Sequence, residues 1–229
     1  MKTIGLIGGM SWESTVTYYQ VINTCVKEKL GGLHSAKCLL YSVDFAQIEE
    51  CQKNNEWEKS GQILSDAAKA LEKAGADFIL ICTNTMHKVY PQIQKNISVP
   101  LLHIAEVTAQ MLKKEAITKV ALLGTKYTMQ ETFYAGIIEE NGIKVITPSE
   151  KEQDYINSVI FDELCKGIIR NESKEKLLQI IDELSKQGAQ GVILGCTEIG
   201  LLIKQEDTKV PLFDTTIIHA EAAVQEALS

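Results

Sequence analysis

Arginine occurs once in this chain, at Arg170. Together with 30 acidic against 23 basic residues and a net charge of −7, that scarcity argues against a nucleic-acid partner, which needs clustered cations and a positive field. No apolar run approaches the roughly 20 residues that a membrane helix needs. The opening Met1-Lys2-Thr3-Ile4-Gly5-Leu6-Ile7-Gly8-Gly9 is too short and too glycine-rich for a secretory signal, so the chain reads as soluble and cytoplasmic, with no membrane partner. Of the six cysteines, none forms a CxxC pair and none lies near a histidine at zinc-finger spacing. Most of Cys25, Cys38, Cys51, Cys82, Cys165 and Cys196 read as small buried hydrophobes. The glycines of Gly5-Leu6-Ile7-Gly8-Gly9 do not fit G-x-G-x-x-G and no Walker A sequence occurs, which sets a nucleotide-binding protein aside. With only four prolines and no low-complexity tract, no linker is evident.

What is present is a chain of 229 residues, 45% hydrophobic and 23% charged, enough for one large domain or two small ones. Short apolar runs at Thr3–Ile7, Cys38–Val43, Phe78–Cys82, Val120–Leu123 and Val192–Gly195 have the length of buried strands. Helical patterns such as Gly61–Lys73 and Ser173–Lys186 separate them. In the second, Leu177, Leu178, Ile181 and Leu184 share a face and Gly188 supplies a stop. Such alternation predicts an α/β fold of parallel sheets with crossover helices.

The chain also repeats itself. Ile4–Gly8 resembles Val120–Gly124, Gly75–Thr83 resembles Gly188–Cys196, and Val99–His103 resembles Val210–Asp214, always in the same order. Two pseudo-symmetric α/β lobes are expected, over 1–100 and 101–210, with the last strand and helix (211–229) completing the first lobe. Ligands of open α/β sheets bind outside the carboxyl ends of strands. The loops Gly8–Trp12, Thr83–His87, Thr125–Thr128 and Cys196–Gly200 should therefore line a site in a cleft between the lobes.

The second repeat sets Thr83 against Cys196. Two opposed proton-handling groups are what inversion at a carbon demands. Cys196 suits one role, because a thiol at a helix N-terminus has a lowered pKa. Thr197 and Glu198 follow it directly and could hold the ligand and the thiol. His87 is read as a structural histidine that fixes its loop. His34 and His103 are given local packing or hydrogen-bonding roles, and His219 none. Trp12 and Trp57 are read as packing or lid residues.

Gly8-Gly9-Met10-Ser11, Thr83-Asn84-Thr85-Met86-His87 and Gly195-Cys196-Thr197-Glu198 resemble the signatures of the aspartate/glutamate racemase family, over essentially the full length. The longer forms, with Trp12-Glu13-Ser14-Thr15 and Ile199-Gly200-Leu201-Leu202, look like its bacterial L-aspartate/glutamate-specific subgroup. The resemblance implies racemisation by two-base proton transfer, with no cofactor, no pyridoxal phosphate and no metal, on a small acidic amino acid, by a homodimer. The broader family has Cys-Asn-Thr-x-His in the first motif; here Thr83 takes the place of that catalytic cysteine. Cys82, one residue earlier, should face the core. The resemblance therefore implies an asymmetric Thr83/Cys196 catalytic pair.

For the carboxylates a single arginine leaves few clamps. Backbone N–H groups at Asn84–Thr85 and Thr197–Glu198 can bind the α-carboxylate, and Glu198 the ammonium group. Lys166 and Gln52 resemble positions where family members hold the substrate side chain, and Met10 and Thr125 are expected to line the pocket. Other readings stay open: a maleate isomerase, hydantoin racemase or decarboxylase of the same superfamily, or a non-catalytic binding protein for acidic amino acids.

Overall fold

The computed structural model describes residues 1–229. It contains two four-stranded sheets, every strand pair parallel, each sheet flanked by helices. The chain divides into two compact units, one of Met1–Ile104 with His219–Ser229 and one of Ala105–Ile218.

In the first unit the strands are β1 (Ile4–Gly8), β2 (Cys38–Ser42), β3 (Phe78–Ile81) and β4 (Leu101–Leu102), in the order β2-β1-β3-β4. Strand periodicity sends Ile7, Ile79 and Ile81 into one core cluster with Ile48, Leu64 and Ala68. Ile4, Leu6, Phe78 and Leu80 enter another with Tyr18, Ile22, Ala223 and Val224. Both faces are therefore covered, which is why β1 and β3 are unbroken apolar runs. The Cys38–Val43 run departs from expectation. It forms the sheet edge, and its residues are half-buried to exposed, because a strand with one neighbour lacks cover on the other side.

In the second unit β5 (Lys119–Gly124), β6 (Lys144–Ile146), β7 (Val192–Gly195) and β8 (Leu212–Asp214) take the order β6-β5-β7-β8, the same topology again. Helix Asn171–Lys186 buries Leu177, Ile180, Ile181 and Leu184, while Leu178 sits at the rim of the cluster, so the buried stripe lies slightly round from the one expected. Two boundaries differ from the repeat-based division. The first unit runs to Ile104, and β8 stays in the second sheet, paired with β7. Only residues from His219 onward return to the first unit. No helix is long and apolar enough to cross a membrane.

Candidate active site

In each sheet the two central strands connect outward in opposite directions, so the switch point lies between β1 and β3 and between β5 and β7. The loops that leave the carboxyl ends of these four strands carry most of the residues singled out in the sequence.

After β1, Ser11 caps the helix Trp12–Leu30. Thr15 Oγ1 accepts from the Gly9 N–H at 2.9 Å and donates to the Ser11 carbonyl at 2.7 Å, which ties the loop to the first helical turn. Gly9 has φ +90°, and a Cβ there would stand 2.3 Å from the Val43 carbonyl oxygen, so only glycine fits. Met10 is buried in the same core cluster as Met86. The buried Gln52 amide donates to Met86 Sδ at 3.2 Å, which brings Met10, Gln52 and Met86 to one region of the first unit.

After β3 the chain turns through Cys82, Thr83 and Asn84 into a 3₁₀ helix at Thr85–Val89. Cys82 faces the core, where burial pushes its thiol far above the ordinary range. Thr83 is half-buried, and its N–H donates to the Ile81 carbonyl. Asn84 and Thr85 are buried.

In the second unit Thr125 caps the helix Lys126–Gln130, its Oγ1 accepting from the Thr128 N–H at 3.3 Å. After β7, Cys196, Thr197 and Glu198 are all buried, and two of them converge on the third. The Cys196 thiol and the Thr197 hydroxyl each donate to Glu198 Oε2 at 2.9 Å. This environment corrects the expectation of a lowered thiol pKa. Burial raises it well above the ordinary value, and the Glu198 charge raises it further. A backbone hydrogen bond from Glu198 pulls it down, but by less, and the helix that follows, Ile199–Leu202, has only four residues.

The strand registers place Thr83 and Cys196 equivalently within their own sheets. Ile7 pairs with Ile81, so Thr83 lies one residue past the position level with Gly8. Gly124 pairs with Gly195, and Cys196 comes next. Lys166 belongs to a segment that packs beside the Cys196 loop, with Leu164 and Cys165 in the same cluster as Cys196 and Ile199. It closes a 3₁₀ turn at Leu164–Lys166, is exposed, and pairs with Asp162 at 3.4 Å. Trp57 packs against the first core, with Lys88 over its ring at 3.9 Å, whereas Trp12 is exposed.

A group the sequence left largely unassigned is a buried histidine cluster in the first unit. His87 and His103 have ring centroids 4.6 Å apart, and His87 and His219 5.9 Å. His219 lies between the Tyr18 hydroxyl and the Leu102 carbonyl, each at 2.9 Å. The available signal was a histidine set among alanine, isoleucine and valine in the last helix, Thr215–Leu228. Burial lowers all three, His103 to about 4 and His219 to about 3. No group of three or more His, Cys, Asp or Glu side chains is arranged to hold a metal ion.

The model of the Asp/Glu/Hydantoin racemase family matches residues 7–223. Among characterised proteins, the chain is 29% identical to the broad specificity amino-acid racemase RacX of Bacillus subtilis (strain 168), over 99% of this chain and 98% of that one. Among solved structures, it is similar to a candidate Asp/Glu racemase from Yersinia pestis (53% identity, TM-score 0.92, all of both chains). It is also similar to an aspartate racemase homologue from Pyrococcus horikoshii OT3 (39%, TM-score 0.86, all of both chains).

Proposed function

The chain belongs to the Asp/Glu/hydantoin racemase family, and from that premise we propose that it is a cofactor-independent racemase of L-aspartate and/or L-glutamate that uses Cys196 and Thr83 as an asymmetric acid/base pair. The observation that carries this reading is the Cys196 thiol hydrogen-bonded to the Glu198 carboxylate at the end of β7, with Thr83 at the corresponding place after β3.

Inversion at Cα removes a proton from one face and delivers one to the other. Cys196 starts as a thiol, and Glu198 is already positioned to take its proton. The thiolate so formed abstracts the α-proton of the L-substrate, and the Thr83 side supplies the proton that completes inversion. A hydroxyl is the weaker partner, so delivery from Thr83 limits the rate. Enantiomers in water are equal in free energy, and kcat/KM must match in the two directions; the asymmetry shows in isotope exchange instead. Asn84, Thr85, Thr125, Thr197 and the backbone beside them are assigned to the substrate carboxylates, and Met10 and Gln52 to the pocket wall. Lys166 is assigned to the substrate side chain, which requires it to leave Asp162.

Proton NMR in D2O, following the α-proton of L-Asp, D-Asp, L-Glu and D-Glu with chiral analysis of products, tests the reading. The wild type should exchange and invert at least one acid, in the presence of a chelator as well. Cys196→Ala should lose roughly 10²–10⁴-fold of both reactions. Thr83→Ala should keep exchange of the L-enantiomer and lose inversion. Binding without exchange of any of the four would move the protein to the non-catalytic class. The similarity to RacX favours a second reading, a wider substrate range. It is decided by adding a neutral and a cationic amino acid to the same assay.

Trp12, Val16 and Tyr19 form an exposed apolar stripe along the Trp12–Leu30 helix, which we assign to the contact face of a homodimer. Sedimentation equilibrium should give twice the 25.4 kDa chain mass, and Tyr19→Glu should shift it toward one.

A further inference from the structure

His87 joins two places that are distant in sequence. Its Nδ1 lies 2.8 Å from the Thr83 carbonyl oxygen, and its Nε2 accepts the Ile104 N–H at 3.2 Å. An amide N–H can only donate, so Nε2 carries the lone pair and Nδ1 carries the hydrogen, which it donates to Thr83. One neutral tautomer satisfies both bonds. Ile104 is the last residue of the first unit before the chain passes into the second, and His219 is the first residue on its return. His219 packs edge-on against His87 and is itself fixed by Tyr18 and Leu102. His103 and Tyr90 pack against the remaining sides of the ring.

The second unit has no counterpart to this arrangement. The repeat that sets Thr83 against Cys196 sets His87 against Gly200, and the next repeat sets His103 against Asp214. A Cβ on Gly200 would lie 2.1 Å from Asp214 Oδ2, so no imidazole could occupy the place. The Cys196 loop is bound instead by its own Glu198.

We propose that His87 is a positioning residue for Thr83: its neutral imidazole fixes the Thr83 backbone to the Ile104 amide, and so sets where the Thr83 hydroxyl stands. This rests on the assignment of Thr83 as the second acid/base group. A short hydroxyl has little reach, and a misplacement of about 1 Å in a catalytic group can cost on the order of 10²-fold. A role confined to Thr83 predicts that inversion and Cys196-side exchange respond differently.

Two variants divide the bonds of the imidazole. His87→Asn puts an amide near the Nδ1 position and can still donate to Thr83, but does not reach Ile104. His87→Gln puts its amide near the Nε2 position and can accept from Ile104, but loses the bond to Thr83. Both are measured in D2O for α-deuterium uptake by the L-substrate and for inversion, with circular dichroism of each. Inversion should fall by roughly 10²-fold in His87→Gln and recover at least tenfold in His87→Asn, while uptake into the L-substrate stays within about threefold of wild type in both. Equal loss of uptake and inversion, loss of fold in both variants, or unchanged inversion in His87→Gln would each overturn the assignment while leaving the functional reading intact. A wild type that neither exchanges nor inverts any acidic amino acid would overturn both.

Discussion

At Cys196 burial and a neighbouring carboxylate both favour the thiol over the thiolate. In the proposed mechanism the same side chain serves as acid in one direction, and as base in the other once Glu198 has taken its proton. Position in the sequence revealed the cysteine but not its environment: adjacency to a helix start is visible in a string of letters, whereas the return of the Glu198 side chain onto Sγ is not. The histidines were harder to read still, because their partners lie in four separate stretches of chain. Their burial carries a pH dependence. An unfolded histidine titrates near 6.5, whereas His103 and His219 in the native protein titrate near 4 and 3 and His87 well below the usual value. As pH falls below about 6.5, the unfolded chain binds protons that the native chain refuses, so stability is complete above that pH and declines below it. Each histidine removes about 1.4 kcal/mol per pH unit across its window. The urea midpoint should accordingly drop between pH 7 and 5.5, and imidazole ¹⁵N shifts should show these three rings neutral at pH 5.5. Protonated rings in a folded protein at that pH would contradict the account.

Strands legible as apolar runs were the central ones, β1, β3, β5 and β7, because burial on both faces removes alternation and leaves an unmistakable stretch. Edge strands were less so. β2 reads as buried and is not, and β4 and β6, of two and three residues, barely rise above the surrounding loops. The position of the loops proposed as the site was legible to the same extent as the central strands, since they leave the carboxyl ends of those strands at the two switch points. Lys166 illustrates the remainder. The helix over Glu150–Ser158 passes through a π turn at Val159–Glu163 and a 3₁₀ turn before it reaches this residue, and no 3.6-residue count predicts where such a segment points.

On the scale of the whole chain, duplication was the most informative signal, since three ordered matches anticipated two similar α/β lobes, and the two sheets share one strand order. It could not show which sheet keeps the last strand, because β4 and β8 occupy the same place in their respective copies. The last helix belongs to the first unit from His219 onward. Ala220, Ala223, Val224 and Ala227 are buried against Ile4, Leu6 and Phe78, and the Ala227 carbonyl accepts the Lys2 N–H. Ending the chain at Ile218 uncovers that face and removes the His219 hydrogen bonds, a loss of about 5 kcal/mol or more, comparable to the whole stability of a domain. The shortened protein should lose the first unit's cooperative melt and keep the second's; a single unshifted transition would refute this. The arrangement has a consequence for biosynthesis. A ribosome releases a chain N-terminus first, and domains ordinarily fold in that order. Here the later unit has all its strands by Asp214 and can close while the earlier one still waits for His219–Ser229. During translation, the first half of the sequence is the last part of the molecule to be finished.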